Sequence, residues 1–365
     1  MDAGTVHEPA STLPRIAVVA ASLDILGGQG VQASVLGQAL LAEGAEVRFI
    51  PVNPRFPRGL GWLRRWPFVR TVLNEALYAL RLVGLRRADV AHVFSASYWS
   101  FLLGPAPAML LARALGKRVV LHYHSGEAED HLARWGARVH PWLRLADEIV
   151  VPSEYLREVF QRHGYRSRVI RNVLDLSRFS FRERLPLRPR LLSARNLEPH
   201  YRVDDTLRAF ALVRARHPGA TLTVAGYGSR EGELRRLAAR LGTAGIRFAG
   251  RVEPEGMRRL LEESDIFLNA SVVDNQPVSI LEAFASGLPV VSTPTGDIRA
   301  MVRQDETGLL VPPRDPDAMA AAVLRLLADP VLARRLARGA RLEAAEYAWP
   351  RVRGAWQAVY QGGAA

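Results

Sequence analysis

Two carboxylates, Asp274 and Glu282, stand eight positions apart in a segment that starts polar and ends in an apolar run of buried-strand type. Pro277 suits the first turn of a helix and Gly287 suits the residue just past its end, so the spacing predicts a helix over 277–286. The unpaired amides and positive dipole end of such a helix accept a phosphate or a sugar hydroxyl oxygen. Carboxylates accept the paired donors of vicinal hydroxyls, so the two acids suit polyol ligands such as a ribose and a hexose.

The orientation of the second carboxylate follows from the pattern of the predicted helix. On a helical wheel the apolar residues fill one arc, and Glu282 lies at its border next to Val278, from where its carboxylate can point toward a cleft. A solvated Asp beside the helix and a surface Glu fit the chemistry equally well. The residue types alone leave both interpretations open.

The elements that position these residues alternate between strand and helix. Apolar runs of strand length fall at 13–20, 45–52, 89–94, 118–124 and 148–153 in the first half, and at 190–193, 220–225, 246–248, 266–270 and 289–293 in the second. Apolar-periodic stretches at 204–217, 230–241 and 255–264 predict helices between the later strands. The alternation implies two α/β halves with parallel, doubly wound sheets, whose ligands bind at the carboxyl ends of the strands.

Length and composition limit the class of protein. A chain of 365 residues exceeds the usual size of one core, so two domains are expected, and the polar, proline-containing stretch 181–190 marks a linker. There is no cysteine, and the nine histidines show no HExxH-like spacing, which gives metal chemistry little support. The sequence shows neither a secretory signal nor an apolar run of about 20 residues, so we expect a cytoplasmic location.

The net charge of +13 suits anionic partners such as phosphates or an acidic membrane face. Lys117 is the only lysine, so part of the excess reflects a general preference for arginine. The most skewed segment, 55–87, has eight arginines against Glu75, with aromatic residues interleaved. We hypothesise that it contacts an anionic membrane surface on the inner face. A solvated helix pair whose tryptophans face the core is the alternative.

Ordered motifs in the second half resemble those of glycosyltransferase family 4. They are VAGYGS, which starts at Val224, FAGRVEPEGMRRLLEESDIFLNAS, Asp274-x7-Glu282, EAFASGLPVVSTPTGD, and DETGLLVPPRDPDAMAAAV, which ends at Val323. The resemblance implies the GT-B fold, in which two Rossmann-like domains face each other across a cleft and a C-terminal helix crosses back to the first. We therefore place the domains at 1–182 and 183–345, and the crossing helix at 346–365.

The resemblance also assigns roles to the two carboxylates. In this family the first carboxylate and the backbone after it contact the transferred sugar, and the second carboxylate binds the ribose of the nucleotide. Carried over, these are Asp274 with the backbone of Asn275, Gln276, Pro277 and Val278, and then Glu282. The family usually has Glu at the first position, and the side chain of Asp274 is one methylene shorter. The sugar preference or the activity is therefore in question.

Two cations are expected at the donor diphosphate, because the leaving group needs positive charge as it departs. Arg195 matches the arginine of the family. The Lys-Gly pair of the family reads Tyr201-Arg202 here, which makes Arg202 the candidate for the second cation; the alternative is one more surface arginine. With arginines and a helix N-terminus taking the charge, we expect that no metal is required.

Further site residues come from glycine-rich and strand-end motifs. Gly28, in the GGQG stretch between a strand and a helix, resembles the N-terminal loop where backbone approaches the ligands closely. Gly226, in VAGYGS, is assigned to the donor side by the same resemblance. His124, at the end of VVLHYH, matches the histidine that touches the transferred sugar, although a structural role is the alternative. His122 and His92 are expected to pack or to support it.

The sequence therefore predicts a retaining glycosyltransferase that moves a hexose from a UDP- or GDP-sugar to a glycan or lipid-linked acceptor, as in cell-envelope polysaccharide assembly. No cofactor beyond this donor substrate is expected. Two alternatives are a GT-B nucleotide-sugar epimerase and a sugar-nucleotide-binding protein without transferase activity. The basic segment matches no RNA- or DNA-binding motif, so no nucleic-acid partner is expected.

Overall fold

Two halves of α/β architecture make up the chain. The computed structural model describes residues 13–22, 28–57, 59, 62 and 65–363. Each half contains one six-stranded parallel sheet, and two apolar clusters per half cover the faces of that sheet. Three residues of segments used in the sequence analysis lie outside the described part: Gly27 of the GGQG stretch, and Arg58 and Arg64 of the segment 55–87.

The first sheet has the strand order β2-β1-β3-β4-β5-β6. Its strands are β1 (Ile16–Ala20), β2 (Val47–Pro51), β3 (Val90–Ser95), β4 (Arg118–Tyr123), β5 (Glu148–Val151) and β6 (Arg168–Val169). The helices of this half are α1 (Gly28–Ala42), α2 (Pro67–Leu82), α3 (Trp99–Leu103), α4 (Pro105–Ala114), α5 (Ala128–Leu143) and α6 (Glu154–Arg162). All five residues of β1 are buried, as expected for a central strand of a parallel sheet covered on both faces.

The second sheet has the order β12-β11-β10-β7-β8-β9. Its strands are β7 (Arg190–Ala194), β8 (Thr221–Ala225), β9 (Ile246–Gly250), β10 (Ile266–Asn269), β11 (Val290–Ser292) and β12 (Leu309–Leu310). The helices are α7 (Val203–Arg216), α8 (Glu231–Arg240), α9 (Pro254–Glu263), α10 (Val278–Ser286), α11 (Ile298–Met301), α12 (Pro316–Ala328) and α13 (Pro330–Ala345). The central position of β7, β8 and β10 places the loops that follow them at one edge of the sheet.

The last helix, α14 (Trp349–Gln361), packs on the first half although it follows the second. Trp356 and Tyr360 are buried within the apolar cluster that also contains residues of β1. The indole N–H of Trp349 donates to the Glu43 carboxylate at 2.9 Å. The crossing helix implied by the family resemblance is therefore present, and it ties the end of the chain to the first sheet.

The predicted α/β fold of two facing Rossmann-like halves is confirmed, with element ends shifted by a few residues. The strands β6 and β12 were not predicted, because two-residue strands are too short to show a pattern. The helix predicted from Pro277 begins one residue later, and Pro277 caps it with an extended backbone (φ −69°, ψ 117°). Gly287 ends it in the left-handed region (φ 76°), as predicted.

Candidate active site

A cavity of about 400 Å³ lies between the two halves, where the carboxyl ends of both sheets meet. Ten of the eleven predicted site residues line it: Gly28, His124, Arg195, Gly226, Asp274, Asn275, Gln276, Pro277, Val278 and Glu282. They come from both halves of the chain and from loops distant in sequence. The structure therefore brings them together at one place, and their individual roles stay predictions.

The loop before α10 is held to the first half by its side chains. The hydroxyl of Ser153 donates to the side-chain oxygen of Asn275 at 2.5 Å. The side-chain amide of Gln276 donates to the Pro152 carbonyl at 2.8 Å, and the Asn172 amide donates to the Gln276 side-chain oxygen at 3.0 Å. Asn275 and Gln276 are both buried. Their side chains thus join the two halves and hold the loop that leads into α10.

Asp274 forms a buried ion pair with Arg195. The side chains are 10% and 9% exposed, and the carboxylate of Asp274 also accepts the Ser271 hydroxyl at 2.8 Å and the Asn275 amide at 3.0 Å. The Arg195 guanidinium lies 4.2 Å from the centre of the Tyr201 ring. Removal of either partner would leave an uncompensated buried charge, so the pair fixes the position of both groups.

Close backbone contacts surround this ion pair. Gly226 has φ +144°, and a Cβ atom there would lie 2.0 Å from the carbonyl oxygen of Arg195. At Gly126, a Cβ atom would lie 2.8 Å from the carbonyl oxygen of Asp274. Both positions therefore require glycine. The loop after β4 in the first half consequently packs directly on the backbone of Asp274.

Glu282 lies on α10 at the cavity wall, where the residue keeps some exposure to the cavity while its carboxyl group is surrounded by protein atoms. Within the described part of the chain, no group donates a hydrogen bond to its carboxylate. Burial raises the pKa of Glu282 to about 7, and the nearby guanidinium of Arg178 acts in the opposite direction. The interpretation as a surface Glu is therefore wrong. A buried carboxylate without donors is suited to accept ligand hydroxyls.

The N-terminus of α10 faces the same cavity. The amide of Ile280 donates to the Pro277 carbonyl at 3.1 Å. For the preceding amides, of Val278 and Ser279, no described backbone carbonyl is an acceptor. Both residues line the cavity, so these amides and the helix dipole are available to an anion there.

His124 follows β4 and lies at the cavity wall, behind which two further histidines are buried. Its ring centre is 4.0 Å from that of His122, a ring nitrogen of His122 is 3.2 Å from one of His92, and the other nitrogen of His92 is 2.8 Å from the Tyr360 hydroxyl. Burial lowers the pKa of His124 and of His92 to about 3. His124 is therefore neutral near pH 7, and it can hydrogen-bond a sugar but carries no charge.

Arg202 is the predicted site residue that does not line the cavity. It precedes α7 in a left-handed conformation (φ 50°), and its guanidinium donates to both carboxylate oxygens of Asp205 at 2.9 and 3.0 Å. It also pairs with Asp204 at 3.1 Å. The structure thus does not bring Arg202 to the cavity with the other predicted site residues. The guanidinium of Arg202 is held instead by two carboxylates in the first turn of α7, those of Asp204 and Asp205.

Sequence reasoning also missed residues that line the cavity. Arg178 belongs to a short 3-10 turn, Leu176–Arg178, between the halves, and His200 and Glu127 approach from opposite halves. The one available signal for Arg178 was a cation soon after the last strand of the first half.

Among the described residues, no group of three or more His, Asp or Glu side chains could hold a metal ion.

Two facing Rossmann-like halves, a crossing C-terminal helix and a cleft site define a GT-B protein. The family description "Glycosyltransferase Family 4" matches residues 26–178, and "Glycosyl transferases group 1" matches residues 188–329. Glycogen synthase of Mycobacterium tuberculosis is 32% identical over 290 residues, which cover 75% of this chain and 69% of that protein. The chain belongs to glycosyltransferase family 4, and it is an enzyme of the glycosyltransferase class.

Another relative in sequence is also named as a glycosyltransferase, and two solved structures share the fold. D-inositol 3-phosphate glycosyltransferase of Acidothermus cellulolyticus is 36% identical over 163 residues, 42% of this chain and 36% of that one. HepE of Anabaena, solved with UDP and glucose, superposes with a TM-score of 0.72 at 17% identity, over 96% of this chain and 100% of that chain. Sucrose-phosphate synthase of Thermosynechococcus elongatus superposes with a TM-score of 0.71 at 21% identity, over 95% of this chain and 98% of that chain. The two structures support the fold.

The buried carboxyl of Glu282 predicts a pH-dependent stability difference. Its folded pKa of about 7 exceeds the value of 4.5 for an unperturbed Glu, so its contribution to stability is full below 4.5 and is lost as pH rises through 7. Relative to Glu282→Gln, which stays neutral, the native protein should lose up to about 3 kcal/mol of unfolding free energy between pH 4.5 and 8. Urea unfolding of both proteins at several pH values measures this difference. Parallel pH profiles would contradict the burial of an ionisable Glu282.

Proposed function

We propose that this enzyme is a retaining hexosyltransferase that uses a nucleotide diphosphate sugar as donor. One observation carries the proposal: a buried carboxylate without donors, Glu282, and the unpaired amides at the start of α10 line one cavity together with His124 of the other half. These groups match the hydroxyls of a ribose, the charge of a diphosphate and the hydroxyls of a sugar. A ligand that joins these three chemical parts is a nucleotide sugar.

The donor would lie along α10. Glu282 would accept the ribose hydroxyls, and one turn earlier the amides of Val278 and Ser279 would receive the diphosphate. The transferred sugar would then lie beside Asp274 and His124, where the two halves meet. Because its ring is neutral, His124 would act there as a hydrogen-bonding group.

Retention at the sugar would proceed without an enzyme nucleophile. Asp274 is paired with Arg195 and accepts the Ser271 hydroxyl, so its carboxylate is a weak nucleophile. We place the acceptor hydroxyl on the same face of the sugar as the departing diphosphate. The bond from the anomeric carbon to the phosphate oxygen breaks, the acceptor oxygen bonds to that carbon, and a phosphate oxygen takes the acceptor proton. Charge on the leaving group is met by the helix amides.

For the nucleotide and the acceptor we propose chemical classes and no single compound. One solved relative in fold, HepE of Anabaena, is described in complex with UDP-glucose, and a Corynebacterium glutamicum relative is named as a GDP-mannose-dependent mannosyltransferase of a phosphatidylinositol monomannoside. A UDP- or GDP-hexose and a glycan or lipid-linked acceptor are therefore our candidates. A lipid-linked acceptor would require the enzyme to work at a membrane surface, on the cytoplasmic face.

The first half offers a surface for that purpose. Along α2 and the turn after it, Phe68, Val72, Leu80 and Val83 follow helical spacing and are 50–86% exposed. Trp62 and Trp66 are 58% and 62% exposed, so the interpretation in which these tryptophans face the core is wrong. The described arginines of the segment 55–87 are exposed as well.

An exposed apolar row beside arginines suits an anionic bilayer surface. No helix of the described residues has the length and apolarity to cross a membrane. We therefore propose peripheral contact through the segment 55–87.

Donor use can be tested directly. We expect release of a nucleoside diphosphate from one member of a panel of UDP-, GDP- and ADP-sugars, dependent on a lipid extract as acceptor source. Glu282→Ala should lower this release at least about 100-fold, because the ribose loses its charged acceptor. Glu263→Ala, at an exposed carboxylate of α9, is the matched control and should retain activity. Release that needs no acceptor fraction would favour an epimerase or hydrolase, and binding without turnover would favour a non-catalytic sugar-nucleotide protein.

Membrane contact is tested by flotation with phosphatidylglycerol vesicles. Phe68→Asp should reduce the bound fraction about tenfold, because it replaces an exposed aromatic side chain that would insert into the bilayer surface by a charge of the same sign as the lipid. Leu342→Asp, at a 74% exposed position on α13 of the second half, is the control and should bind as the native protein does. Equal binding of all three proteins would exclude α2 as the contact surface.

A further inference from the structure

A cation that our sequence prediction did not include stands at the wall of the cavity. We propose that Arg178 binds the inner phosphate of the donor, the one attached to the ribose. This inference rests on the proposed use of a nucleotide donor and names a further binding residue for it. It also replaces Arg202, whose guanidinium is held by Asp204 and Asp205 outside the cavity.

The backbone that carries Arg178 is fixed from both sides. Its 3-10 turn, Leu176–Arg178, is capped by Asp175, whose carboxylate accepts the Ser177 amide at 3.1 Å and the Ser177 hydroxyl at 2.6 Å. Phe179, the next residue, is buried in an apolar cluster of the second half. Arg178 itself is exposed and lines the cavity. An anchored backbone thus presents a solvent-accessible guanidinium to the site.

The guanidinium groups of Arg178 and Arg195, which both line the cavity, differ in their partners. Arg195 is paired with Asp274 and covered by Tyr201. Within the part of the chain that the structure describes, no carboxylate lies within ion-pair distance of Arg178, although its charge is close enough to act on Glu282. An arginine stays charged at all relevant pH values and presents a planar fork of donors that fits phosphate oxygens.

The identity of the phosphate follows from the order of groups along α10. A ribose at Glu282 and an outer phosphate at the amides of Val278 and Ser279 leave the inner phosphate between them. Leu176 and Phe179, which belong to the same chain segment as Arg178, share an apolar cluster with Leu281 of α10, so this segment lies against the part of the helix that carries Glu282. From there the Arg178 side chain, which lines the same cavity as Glu282, meets the inner phosphate before the outer one.

The test compares diphosphate and monophosphate ligands by titration calorimetry. The probe is UDP or GDP, whichever the native protein binds more tightly, together with the matching UMP or GMP. Arg178→Gln should weaken both ligands about tenfold, and Arg178→Lys should restore part of the loss, because it keeps the charge but not the fork. Arg182→Gln is the control, since Arg182 is 49% exposed in the same connecting segment and is bound to the Glu262 carbonyl.

A second readout tests whether the Arg178 guanidinium lies beside Glu282. Nucleotide binding should tighten as Glu282 ionises. Without the neighbouring cation Glu282 ionises at higher pH, so this pH should move upward in Arg178→Gln and stay unchanged in Arg182→Gln. A loss for the diphosphate alone would place Arg178 at the outer phosphate and overturn the assignment. Unchanged affinities in Arg178→Gln, or equal losses in Arg178→Gln and Arg182→Gln, would also overturn it. If the native protein bound neither UDP nor GDP, the proposed donor class itself would fail.

Discussion

The buried ion pair between Asp274 and Arg195 is the interaction on which the site depends. It joins the loop after β10 to the end of β7, and with both side chains about nine-tenths buried it holds each charge only because the other is present. The same loop continues into Asn275 and Gln276, which hydrogen-bond to the first half. This loop therefore connects the two halves and leads into the start of α10.

The aspartate in place of the usual family glutamate has a structural consequence. Its Oδ1 accepts the amide of the next residue, Asn275, a short-range bond typical of Asp and Asn side chains. A glutamate is one methylene longer and would not make this bond while reaching Arg195 in the same way. The shorter side chain thus keeps its carboxylate close to the backbone of the loop.

The sequence was informative wherever the local pattern decides the structure. Strands such as β1 and β4 are continuous apolar runs, and α10 is bounded by Pro277 and Gly287, so these elements were predicted nearly as they are. Arg202 was expected at the cavity because the pairing with Asp204 and Asp205, two and three positions later in the sequence, was not weighed. Arg178 was missed for a different reason: its turn meets the cavity only once both halves are in place.

The most direct test of the site is a crystal structure of the protein with the nucleoside diphosphate it binds more tightly, UDP or GDP. We predict ribose hydroxyls within hydrogen-bond distance of the Glu282 carboxylate, and phosphate oxygens at the amides of Val278 and Ser279. A nucleotide bound in the cavity with its ribose away from Glu282, or bound elsewhere on the chain, would contradict the arrangement proposed here.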